Sequence, residues 1–118
     1  MIESMVQNKS VDFCAQIFSF FPTLKSIFPE ISSQLIRSAT SIGANIAEAQ
    51  SAESKKDFIH KLSIALKEAR ETYFWLRVLD KTEKFETTQT LIKLCNEICA
   101  LLASSLKTLK NEKTNSEL

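Results

Sequence analysis

Apolar residues recur along this chain three and four positions apart in four runs, and each run predicts an amphipathic helix. The first run spans Glu3 to Phe21, with Val6, Phe13, Ile17 and Phe20 on one face and Cys14, Phe18 and Phe21 beside it. Pro22 is expected to end that helix, leaving Leu24, Ile27 and Phe28 in a connection that reaches Pro29. The second run, Glu30 to Gln50, keeps Leu35, Ala39, Ile42, Ile46 and Ala49 on its inner stripe, among mostly small neighbours. The third begins at Ser54, where Ser54-Lys55-Lys56-Asp57 fits a capping box, and continues to Leu79 before a break at Asp80-Lys81-Thr82. Its inner stripe is Phe58, Leu62, Ala65, Ala69, Leu76 and Leu79, with Ile59, Leu66 and Tyr73 alongside. The fourth runs from Thr88 to Leu109 and repeats Leu91, Cys95, Ile98, Leu102, Leu106 and Leu109.

Four such helices joined by short links predict an all-α fold, an antiparallel up-and-down four-helix bundle over residues 1–110. Residues 111–118 are polar and without period, and are expected as a disordered tail. Composition sharpens this picture. One glycine and two prolines in 118 residues supply too few turns for a many-stranded β fold. Three cysteines, an odd count, with no basic and then apolar leader pattern, lead to the expectation of reduced thiols and a cytoplasmic location. No apolar run approaches the roughly 20 residues of a membrane span.

Candidate chemistry is sparse. Asp57-x-x-His60 has the spacing of half a carboxylate-bridged di-metal site, but His60 is the one histidine and projects outward. Asp57 reads as a helix cap. Cys95 and Cys99 share a face at i, i+4, and Cys14 could approach them across an antiparallel bundle. Cysteines spaced this way in helices read as core residues rather than zinc ligands. Gly43 stands alone, so there is no phosphate loop. Glu68 and Glu71 alternate with Lys67 and Arg70 and read as solvated ion pairs. The expectation is a protein without catalytic residues, metal or cofactor.

Surfaces offer more. On the third helix, 100° steps set Ile64, Trp75 and Val78 away from the inner stripe, where they form a contact patch unless a connection or a long lysine covers Trp75. On the second, Asn45 flanks the buried stripe with Ser38 and Ser41 and needs partners in a main-chain carbonyl, the next helix or another subunit. Glu48 points further out, within reach of Arg37 or an arginine of another chain. Asn45 and Glu48 therefore read as interface or register residues. Arg37, Lys55, Lys56, Lys61, Lys67, Arg70 and Arg77 could together meet phosphates, although acids share those helices and the net charge is only +1.

The stretch from Gln34 to Glu48 contains Gln34, Arg37 and Ser41-Ile42-x-x-Asn45-Ile46-Ala47-Glu48. It resembles the hallmark of the four-helix-bundle proteins first met in intervening sequences of bacterial 23S rRNA genes. The resemblance continues through Lys56-Asp57-Phe58 and Leu62 to Thr72, ending at Trp75-Leu76. Gly43 stands where many members have proline, and Ala49 where many have glycine, which suggests that the second helix runs on toward Ser51. The resemblance implies an antiparallel bundle that assembles as a ring, frequently of five subunits. A similar protein, the accessory subunit of diversity-generating retroelements, binds a reverse transcriptase and nucleic acid through a basic surface. This chain is closer to neutral. The leading expectation is a non-enzymatic, pentameric accessory or scaffold protein whose partners are its own copies and, by resemblance, a protein such as a reverse transcriptase. The alternative is a module that binds RNA or DNA through basic residues of helices two and three gathered around a ring.

Overall fold

A computed structural model describes residues 2–117, with side chains from Met5 to Glu112. Four helices follow one another: α1 (Ile2–Ile27), α2 (Pro29–Ala49), α3 (Lys55–Lys81) and α4 (Thr87–Glu117). Each packs on its two neighbours around the bundle, α1 closing against α4. The predicted stripes meet at the centre. Val6, Phe13, Ile17 and Phe20 face Leu35, Ala39, Ile42, Ile46 and Ala49, with Leu62, Ala65, Ala69, Leu76 and Leu79 opposite and Leu91, Cys95, Ile98, Leu102 and Leu106 completing the core. Phe58 and Leu109 are partly buried at its margin.

The first helix departs from expectation. Pro22 lies inside α1, which continues to Ile27. Proline removes one main-chain donor, leaving the Phe18 carbonyl without its helical partner. Phe18 and Pro22 are both exposed, so water can satisfy that carbonyl, while Leu24, one half-turn on, is fully buried. Core burial outweighs the lost bond. The chain breaks instead at Phe28, which precedes Pro29 and is held out of the helical region at φ −131°, ψ 75°. Pro29 then takes the first turn of α2, where its missing N–H costs nothing.

The aromatic ring of Phe85, between α3 and α4, meets Phe20 edge-on at 5.1 Å and Phe28 at 6.2 Å, sealing that end of the bundle. At the same end Asp80 accepts hydrogen bonds from Thr88 Oγ1 and Gln89 Nε2, both 2.8 Å, tying α3 to the start of α4. At the other end α2 stops at Ala49, and turn bonds from Gln50, Ser51 and Ala52 carry the chain round. Ser54 caps α3 as the sequence predicts, its Oγ accepting from the Asp57 amide at 3.0 Å. The Asp57 carboxylate reaches back to the Glu53 amide rather than to Ser54, a capping box displaced by one residue. α4 outruns its expected end at Leu109. Of the tail expected from 111 to 118, Asn111 and Glu112 are exposed on that extension, and the rest lies outside the residues whose side chains are described.

The α2–α3 seam carries small buried residues, Ser38 and Ala49 on α2 and Ala65, Ala69 and Thr72 on α3. Thr72 Oγ1 lies 2.8 Å from Ser38 Oγ, and Ser38 donates to the Leu35 carbonyl at 3.3 Å, so both buried hydroxyls are satisfied. Gly43, by contrast, is helical and faces α1 with room to spare. A Cβ added there would stand 3.8 Å from Ser10 Oγ, an ordinary contact. Gly43→Ala is therefore expected to raise unfolding stability by about 0.5–1 kcal/mol, measured by urea denaturation.

Candidate functional site

Arg37 projects from the solvent edge of α2 and grips two carboxylates of α3. Its guanidinium is 3.1 Å from Glu68 Oε2 and also donates to Glu71. Trp75 Nε1 donates to the same Glu71 oxygen at 3.1 Å. Hydrogen bonds from Arg37 and Trp75 hold the Glu71 carboxyl below the usual glutamate range. Glu68 and Glu71 are thus cross-helix partners and not pairs within α3.

This clamp rearranges several expected contacts. Arg37 is occupied by α3, so Glu48 instead accepts from Lys61 at 3.0 Å. Asn45 turns its amide onto its own helix, Nδ2 donating to the Ser41 carbonyl at 2.8 Å. Trp75 is not an outward residue: it is half-buried, packed on the core margin and tied to Glu71. Ile64 and Val78 are half-buried as well. The large exposed apolar residue of α3 is Phe74, 57 % accessible, whose ring meets Trp75 edge-on at 5.2 Å. The signal for Phe74 was present in the sequence: 100° steps set it nearly opposite the core stripe and Trp75 only about a quarter turn from that stripe.

The basic candidates divide in two. Arg37, Lys61 and Lys55 are paired with Glu68 and Glu71, Glu48, and Glu112 respectively. Lys56, Lys67, Arg70 and Arg77 are exposed and form no ion pair with another described residue. Arg77 lies over the Tyr73 ring at 5.9 Å.

A second surface lies between α1 and α2. Val11 and Phe18, 63 % and 56 % exposed, rim a groove of about 340 Å³ floored by Gly43, Ala44 and Ala47. Cys14 also faces this groove, while Cys95, on the opposite side of the core, lies 3.3 Å from the Ala69 carbonyl of α3. Cys14 therefore lies on a different seam from Cys95. Among the described residues no group of three or more His, Cys, Asp or Glu side chains is placed to hold a metal ion. Nor is any described helix long and apolar enough to cross a membrane.

Cys95 and Cys99 interact along α4. Their hydrogen bond, with burial, pushes the Cys95 thiol up, while the same bond and the nearby Arg70 charge bring Cys99 down. Burial raises Cys14. Among the described residues no nucleophile–base pair accompanies these thiols, His60 being exposed on the outer side of α3.

Residues 3–104 match the 23S rRNA-intervening sequence proteins. A crystal structure of a protein of unknown function from the S23 ribosomal protein family of Bacteroides thetaiotaomicron is similar throughout. It is 42 % identical with a TM-score of 0.82, covering 91 % of this chain and 99 % of that one. No curated protein matches the chain.

Two outcomes test this geometry. Glu71, depressed when folded, contributes stability that is present above its unfolded value of about 4.3 and lost as pH falls through the lower folded value. Urea unfolding over that acid range should show the wild type losing its margin over Arg37→Met as pH drops. Iodoacetamide at neutral pH should label Cys99 before Cys14 and Cys95, as read by peptide mass.

Proposed function

The chain belongs to the 23S rRNA-intervening sequence protein family, and on that premise we propose that it is a non-enzymatic accessory or scaffold protein that works as a ring of its own copies, five in number as the resemblance implies. The observation that carries this is the groove between α1 and α2. Two large apolar side chains, Val11 and Phe18, stand exposed one heptad apart beside a floor of glycine and alanine. Single exposed apolar residues are ordinary, but an apolar rim over a small-residue floor lets another helix approach closely and hides both residues from water. The interface therefore moves from Ile64, Trp75 and Val78 to α1 and the outer side of α2. Cytoplasmic residence and a protein partner such as a reverse transcriptase belong to the same proposal, supported by family likeness alone.

A second reading is binding of nucleic acid, and one observation favours it: the exposed side of α3 carries no acid, its carboxylates being engaged on the flanks.

Analytical ultracentrifugation tests the leading reading. The wild type should sediment as a closed oligomer at micromolar concentration, and Phe18→Asp should weaken association at least tenfold with the helical content unchanged. Trp75→Ala should lower stability through lost packing and leave the assembly intact. A wild type that is monomeric, or a Phe18→Asp variant that assembles normally, removes the proposal.

A further inference from the structure

We propose that the outward face of α3 is a track for single-stranded nucleic acid, with Phe74 as the platform on which a base stacks. The inference rests on the second reading above and deepens it. Helical steps of about 100° bring Lys56, His60, Lys67, Arg70, Phe74, Arg77 and Lys81 into one arc about 100° wide. All seven are exposed. Lys56 to Lys81 spans about 38 Å at the helical rise, so the positive charge is a ridge and not a spot.

That ridge is uniform in sign because the acids of α3 are used elsewhere. Asp57 caps the helix, Glu68 and Glu71 hold Arg37, and Asp80 binds Thr88 and Gln89. Net charge conceals this, since the acids are paired along the flanks of the helix while the cations face water. A polyanion is the complementary partner.

The aromatic decides which polyanion. Phe74 is held edge-on against Trp75, whose indole N–H is fixed by Glu71, itself held by Arg37. An exposed ring buttressed in this way presents a face at little ordering cost. Bases can use it only when they are unstacked, which a duplex does not allow. The guanidinium of Arg77, resting over Tyr73, lies one turn away for the adjoining phosphate. Beside one aromatic the ridge has no broad apolar stripe, which a membrane-surface helix requires. No asparagine or glutamine lies on the ridge to read base edges, so recognition is independent of sequence.

The test is fluorescence anisotropy with the full chain and labelled oligouridylate, in low salt and across a salt series. A duplex of oligouridylate with oligoadenylate and phosphatidylserine vesicles serve as competitors. The expected result is preference for the single strand and affinity that falls steeply with salt. Phe74→Ala should weaken single-strand binding about tenfold, and Phe74→Trp should retain it. Lys67→Glu combined with Arg70→Glu should weaken binding further and flatten the salt dependence, circular dichroism confirming intact helices. Equal affinity for strand and duplex, with Phe74→Ala unaffected and the charge reversal damaging, overturns the stacking inference and leaves the nucleic-acid reading. Absence of binding to either nucleic acid at low salt, or binding to vesicles alone, overturns both.

Discussion

The close seam between α2 and α3 is the constraint from which most of this structure follows. Small side chains along it bring two backbones together, and the approach buries the Ser38 and Thr72 hydroxyls 2.8 Å apart, each also within reach of a carbonyl of its own helix. At its solvent edge the same closeness puts Glu68 and Glu71 within reach of Arg37. An exposed ion pair adds little stability by itself, and the importance of this one is geometric. It decides which way the carboxylates of α3 point, and so what remains on the outside of the helix.

Charge segregation is the consequence. A chain with a net charge of +1 presents one helix face whose exposed side chains are basic or aromatic, because its acids are committed to the seam, to the cap and to the next connection. The other seams work differently. Between α1 and α2 the glycine and alanines of the outer side leave a gap that Val11 and Phe18 overhang without filling, so the bundle is closed at its core and unfinished at that edge. An acid-free ridge on α3 and an apolar groove on the α1 side are separate surfaces of one bundle. What the chain shares with the 23S rRNA-intervening sequence proteins and with the Bacteroides thetaiotaomicron structure is the bundle itself.

Helix number, order and buried stripes were legible in the sequence because apolar periodicity reports directly which side of a helix leaves water. Leu35, Ala39, Ile42, Ile46 and Ala49 were read in this way, as was the Ser54 cap, a local interaction of residues three apart. The family resemblance in Gln34 to Glu48 was likewise present in the chain alone. Three things required the tertiary structure. Pro22 sits within α1 because burial of Leu24 outweighs a single lost hydrogen bond, a comparison that local propensity cannot make. Arg37 belongs to Glu68 and Glu71, thirty-one and thirty-four positions away, while Glu48 goes to Lys61. Trp75, expected outward, is drawn against the core margin and donates to Glu71 one turn back on its own helix, where Arg37 reaches the same oxygen across the seam. Periodicity states how far a side chain lies from the core of its own helix. Which neighbouring helix stands on the remaining side, and what charge it offers there, is decided only when the four are packed.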